Sequence, residues 1–268
     1  MRSEPLTPFA RALRKAVWAF VLVSTLAAIA YGLYSWKREQ QEVKDNLTIL
    51  SGFLASASQS FFDDLGNGLE PLGQLLDQIG VLKNPEIARA DLLQFQIRHP
   101  DVGAMALFAP SGEMLINTAI DAGQPLPNFI KDPPYFKQLM ADMQSAERYS
   151  VPRPEYGKAL RQWRIAFRYV VRDKKGKPRF LLQAAIPLER EGTFLHRLPL
   201  PPSSYIGLLR GDGYQQARWP AQDPTIIYGK LSQGPAAQMI AENPGIKTGV
   251  FGGISPWSVQ DGQRIGAF

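Results

Sequence analysis

From Ala16 to Trp36 the chain reads AVWAFVLVSTLAAIAYGLYSW, without a single charged residue. Twenty-one residues at the α-helical rise reach about 31 Å, the thickness of a bilayer's hydrocarbon core. Trp18 at one end and Tyr31, Tyr34 and Trp36 at the other sit where interfacial aromatics belong. Arg2, Arg11, Arg14 and Lys15 crowd the N-terminal side, which places residues 1–15 in the cytoplasm and the chain after Trp36 outside. A cleavable signal peptide cut at Ala28-Ile29-Ala30 is the competing reading; apolar character running on to Trp36 favours a retained anchor. Both readings export the rest of the chain.

Over 38–80 the spacing changes to a helical one. Val43, Leu47, Leu50, Leu54, Ala57 and Phe61 follow a heptad, continued by Leu65, Leu69, Leu72 and Leu76. Such a stripe either packs a long helix on its own domain or forms a seam with a second copy. Gly66, Gly68 and Pro71 predict a break or kink there.

Beyond residue 81 the period shortens to strands and turns. Two stretches 101 positions apart, AMALFAPSGEMLINT from Ala104 and YIGLLRGDGYQQARW from Tyr205, each read as strand, turn and strand. Between them Asp132-Pro133-Pro134 predicts a helix start with aspartate as N-cap, followed by YFKQLMADM. Strands are expected at 147–151, Gln162–Arg172 and Pro178–Pro187, the last two joined by a turn at Asp173-Lys174-Lys175-Gly176. The second half offers a helix near 236–242 and strands at 248–254 and 264–268. The fold class is therefore α+β: a transmembrane helix (16–36), a long extracytoplasmic helix (38–80) and two antiparallel-sheet modules (81–195 and 196–268). By strand count the second module is one strand short, so a longer protein is expected to continue past Phe268.

Composition narrows the chemistry. The net charge is +6, and half of it comes from the first fifteen residues, leaving no basic stripe for a nucleic-acid backbone. There is no cysteine, and the two histidines, His99 and His196, are far apart. Thiolate sites and cysteine nucleophiles are thereby excluded, and nothing calls for a metal or a cofactor. No nucleotide-binding glycine loop and no Ser-His-Asp set is present, so no enzyme activity is expected of these residues. Asp63-Asp64 and the Lys174, Lys175, Lys177 cluster read as solvated surface. Asn46-Leu47-Thr48 fits a glycosylation sequon that a membrane-near helix leaves without meaning. Arg210-Gly211-Asp212, which matches a cell-adhesion tripeptide, falls where two strands turn, and Asp212-Gly213 is a turn signal in its own right.

DPPYFKQLM, WRIAFRYVVRDKKGKPRFLLQAAIPLE, YIGLLRGDGYQQARWP and GVFGGISPWSVQDGQRIGAF, in that order, resemble the double Cache (PAS-like) sensor domains of bacterial membrane receptors, nearest to those of diguanylate cyclases. The resemblance covers about residues 38–268. It implies an inner-membrane protein with its bulk in the periplasm, membrane-distal and membrane-proximal modules, a small-molecule ligand, a homodimer and a cytoplasmic output domain. That output would be a diguanylate cyclase, with a histidine kinase or chemoreceptor as the alternative; a membrane-anchored adhesion or scaffold protein is the alternative of a different class. Amino-acid-sensing members carry an aspartate at the end of the fifth strand, where this chain has Ala185, which argues against a free amino acid.

A ligand would lie between the sheet and the Tyr135 helix. Tyr135, Tyr149, Trp163, Arg164 and Arg168 are the candidate binding residues, an aromatic wall with cations that suits an anionic or carboxylate ligand. The plainer reading of Trp163, Ile165, Phe167 and Tyr169 is one strand face filling a core.

Overall fold

A computed structural model describes residues 8–189, 197, 200, 204–210, 214–219, 238–239, 242–243, 250–254 and 263–267. Residues 16–36 and 38–80, expected as two successive helices, form one continuous helix, α1 (Pro8–Gln78), of 71 residues. It contains a span long and apolar enough to cross a membrane. Leu65, Leu69 and Leu76 of the heptad stripe are fully buried, whereas Val43 at its outer end is exposed.

No break interrupts the helix at Gly66, Gly68 and Pro71, and the glycines serve packing. A Cβ on Gly66 would stand 2.6 Å from the Tyr149 ring, and one on Gly73 2.6 Å from Val171. At Gly68 it would come within 2.9 Å of Phe95. Pro71 stays inside the helix on its exposed side and forfeits a backbone bond. The leucine stripe buried on the opposite side holds the rod through that point.

The C-terminal part of α1, from Leu54 on, lies on one face of a six-stranded antiparallel sheet. Its strands are β1 (Ala104–Phe108), β2 (Met114–Asn117), β3 (Tyr149–Ser150), β4 (Glu155–Gly157), β5 (Gln162–Arg172) and β6 (Pro178–Pro187). The order is β2-β1-β6-β5-β3, with β4 also paired to β5. Helix α2 (Arg89–Arg98) shares the α1 face; α3 (Pro133–Gln144) covers the other. The long β5–β6 hairpin closes as expected. Asp173 Oδ1 accepts from the Lys175 and Lys177 amides at 2.8 and 2.9 Å, and Gly176 takes φ +79°. β4 was not foreseen, and the expected strand at 147–151 shrinks to β3. Val151-Pro152-Arg153-Pro154 separates them, since proline has no amide for a ladder bond.

Two more hairpins follow: β7 (Ile206–Leu209) with β8 (Gln215–Trp219), and β9 (Val250–Ile254) with β10 (Gln263–Ala267), the last lying against α1. Only residues 238–239 and 242 of the expected 236–242 helix are described, and they include helical positions at 238, 239 and 242. The offset of 101 reappears in backbone detail. The β1–β2 register shifts between Leu107 and Phe108, and the β7–β8 register between Leu208 and Leu209. The Ala109 amide donates to the Glu113 carbonyl at 2.8 Å, and the Arg210 amide to Tyr214 at 2.9 Å. Arg210, the first residue of the Arg-Gly-Asp tripeptide, thus bonds to Tyr214 across the hairpin, and Gly211 to Gly213 lie outside the described residues.

Two glycines of α1 should respond oppositely. Gly73→Val, forced against Val171, is expected to cost about 2 kcal/mol or more. Gly52→Ala, with nothing within 4 Å of its Cβ, should stabilise by about 0.5–1 kcal/mol. Urea unfolding of the full chain in detergent measures both; equal effects would show that helix–sheet contact does not govern position 73.

Candidate ligand site between the sheet and helix α3

Helix α3 begins at two prolines, and Asp132 stands at the N-cap without a side-chain capping bond. Pro134, at the second helical position, has no amide for that carboxylate, and Asp132 lies 3.6 Å from Lys158 Nζ instead. Tyr135, Leu139, Asp142 and Met143 recur at helical spacing, so one face of α3 turns all four to the sheet. Leu139, Met143 and Asp142 are buried there.

The facing side of the sheet is built in rows. Ala106, Gln183 and Arg168 lie opposite one another across β1, β6 and β5; Ala104, Ala185 and Ala166 form the next row. Four alanines therefore leave a floor of little bulk beside two long polar side chains. Arg168 is entirely buried. Its Nη1 donates to Asp142 Oδ2 at 2.5 Å and its Nε to Gln183 Oε1 at 2.8 Å. Tyr135 leans over the guanidinium, ring centroid 5.2 Å away, and its hydroxyl donates to the same Gln183 oxygen at 3.3 Å. Phe129 packs behind Tyr135 at 4.3 Å between centroids. Arg164 Nη2 donates to Glu155 Oε1 at 2.7 Å, while Glu155 Oε2 stands 3.7 Å from Arg168 Nη2, past hydrogen-bond reach.

Two guanidinium groups and two carboxylates make the site neutral overall, yet its hydrogen bonds do not balance. Gln183 Oε1 accepts from both Arg168 and Tyr135, and nothing accepts from Gln183 Nε2. Arg168 Nη2 also lacks an acceptor. Each such buried donor costs about 1–3 kcal/mol until an acceptor arrives. A third, Arg164 Nε, lies against Gly157, whose Cβ would stand 3.1 Å from it. Burial works against the Arg168 charge, but the pull of ionised Tyr135, Glu155 and Asp142 outweighs it and raises the pKa above its ordinary value. Burial also raises the Tyr135 phenol, with Arg168 opposing.

Of the candidate residues, Tyr135, Arg164 and Arg168 come together here. Tyr149 and Trp163 lie on the opposite face, with the α1 core. Side chains alternate along a strand, so Trp163, Ile165, Phe167 and Tyr169 point away from Arg164 and Arg168. Tyr149 stacks on Phe167 at 5.3 Å and covers Gly66. Asp142, Glu155, Gln183 and Phe129 were not foreseen. Asp142 had a legible signal, since it falls seven residues after Tyr135 and three after Leu139, on the buried side of α3. Ala185 does face the site, and the carboxylates enter from α3 and β4 instead.

No family model and no curated protein matches the chain by sequence. Its fold does match solved structures. The ligand-binding domain of the Pseudomonas aeruginosa amino-acid chemoreceptor PctB with L-arginine superposes at TM-score 0.59 and 16% identity, covering 84% of this chain and 87% of that one. The extracellular domain assigned to a histidine kinase gives 0.56 and 18%, over 78% and 83%. A Campylobacter jejuni chemoreceptor's ligand-binding domain with L-valine gives 0.54 and 13%, over 84% and 87%. This chain has the fold of bacterial sensor domains.

Tyr135 provides a pH test. Its pKa is raised on folding, so its stabilising contribution is whole below the ordinary tyrosine value of 10.0. The contribution is lost as pH climbs through the folded-state value. Tyr135→Phe should flatten the alkaline fall in unfolding midpoint, leaving the part due to Tyr149 and Tyr169, whose pKa values burial also raises. An unchanged alkaline limb would show that the phenol titrates as it does in water.

Proposed function

We propose that this chain is the extracytoplasmic sensing region of a membrane-anchored bacterial signalling receptor, and that its α3 site takes a small carboxylate ligand. The observation that carries this reading is the pair of buried donors, Arg168 Nη2 and Gln183 Nε2, lying without acceptors above a floor of alanines. A carboxylate supplies two acceptor oxygens to such a pair at once. Aromatic rings of Tyr135 and Phe129 would cover its apolar part. The complexes of similar fold contain L-arginine and L-valine, so amino acids belong among the first compounds tested, with Glu155 as the group that could receive an ammonium.

In this reading α1 is the anchor and carries the response across the inner membrane to a cytoplasmic output domain. The sequence resemblance favours a diguanylate cyclase; structures of like fold belong to chemoreceptors and a histidine kinase. A second copy would pair along α1, where Val43, Ile49 and Phe53 are exposed. The membrane-distal module (81–195) would bind and the membrane-proximal one (196–268) relay.

The test is a thermal-shift screen of the full chain in detergent against small carboxylates, amino acids included. Gln183→Glu keeps the shape, still accepts from Arg168 and Tyr135, and replaces the orphan donor with a negative charge. The variant should stay folded, with a melting temperature lowered by the third carboxylate beside Asp142 and Glu155, while affinity for a carboxylate hit should fall at least about 10-fold, or about 1.4 kcal/mol. Absence of any carboxylate hit, or an unaltered Kd in the variant, would sink the assignment.

A further inference from the structure

One segment touches every part of the molecule that a sensor would have to connect. Eight residues run from Arg148 to Glu155. Arg148 forms an ion pair with Glu70 of α1, and the Tyr149 ring fills the place beside Gly66 where any side chain would clash. Ser150 then pairs with Arg168 on β5. After Val151-Pro152-Arg153-Pro154 the chain rejoins β5 with Glu155 opposite Arg164. Glu155 is the carboxylate that stands between the two guanidinium groups of the α3 site.

While it is off the sheet, this strap is held by the β7–β8 hairpin of the second module. The Arg210 guanidinium donates to the Val151 carbonyl. Gln216 Nε2, on a buried side chain, donates to the Pro152 carbonyl at 3.0 Å. The Arg153 guanidinium lies over the Tyr214 ring, 3.6 Å from its centroid. Three consecutive residues are thus each gripped by a different side chain of one hairpin. Two prolines fix φ at alternate positions and restrict the residues before them, so the strap transmits displacement instead of absorbing it.

We propose that the strap over residues 151–154 is the mechanical link through which occupancy of the α3 site is read by the β7–β8 hairpin and by α1. This inference rests on the site's being a ligand site, but its test does not need the ligand. Glu155→Gln removes the charge that braces Arg164 and Arg168. In hydrogen-exchange mass spectrometry of the full chain in detergent, amides of Ile206–Leu209 and Gln215–Trp219 should then exchange at least about threefold faster. Leu139→Ala, which loosens α3 without touching the strap, should leave those amides unchanged. Pro154→Gly should suppress the response to Glu155→Gln, giving a non-additive double-mutant cycle. From the other end, Gln216→Leu should speed exchange over residues 155–168, which keeps the test open should a site variant fail to fold. An equal hairpin response with and without the Pro154→Gly substitution, or no response in either direction, overturns the link. A carboxylate thermal shift with no hairpin response refutes the link alone; a hairpin response with no ligand found in the screen refutes only the ligand reading.

Discussion

A guanidinium group with no access to water sits within this sheet, and strands β1–β6 with helix α3 are arranged around it. Leaving Arg168 unpaired in that environment would cost several kcal/mol. The chain brings charge to it from two directions: Asp142 reaches in from α3 and Glu155 from β4. Gln183, directly across the ladder, gives its oxygen to Arg168 Nε. Helix α3 is thereby fixed to the sheet by an ion pair as well as by Leu139 and Met143. The same arrangement underlies the proposed carboxylate site: the charges cancel, but Arg168 Nη2, Gln183 Nε2 and Arg164 Nε are left without acceptors.

On the reverse side the constraint is steric. Glycines 66, 68 and 73 of α1 let the rod approach β3, β5 and α2 closely enough for Tyr149, Val171 and Phe95 to occupy the space their side chains would have filled. One sheet thus carries a polar, small-floored face toward α3 and a tightly packed apolar face toward the rod. Alternation along β5 accomplishes the separation: arginines at 164 and 168 face α3, aromatics at 163, 167 and 169 face α1.

The elements with strong periodicity were legible in the sequence. The bounds of β5 and β6, the Lys-Lys-Gly turn and the helical stripe of α1 follow from patterning alone. The repeat at an offset of 101 was visible as faint similarity, and the matching bulges of β1–β2 and β7–β8 give it a physical basis. The helix runs unbroken past Pro71 and its neighbouring glycines because packing against the sheet, which a local rule cannot see, holds it there. β4 has no apolar alternation to announce it; it pairs with the start of β5 through its backbone, and Glu155 meets Arg164 there. The plainer reading of Trp163, Ile165, Phe167 and Tyr169 as one core face is the one realised, and Tyr149, opposite Tyr169 on β3, joins it there, apart from Arg164 and Arg168. Asp142 was readable from its position on α3, whereas Gln183 gains its role only through register.

The neutral balance of the site decides which part would move when a guest enters. On the proposed reading, an added carboxylate would bring a third negative charge beside Asp142 and Glu155, which already share the two guanidinium groups. One carboxylate should therefore yield. Asp142 belongs to a twelve-residue helix anchored by buried Leu139 and Met143. It is also held to Arg168 at 2.5 Å. Glu155 opens a three-residue strand, directly after Pro154, and its second oxygen stands 3.7 Å from Arg168. The softer of the two is Glu155, and it is joined to the strap that the β7–β8 hairpin grips.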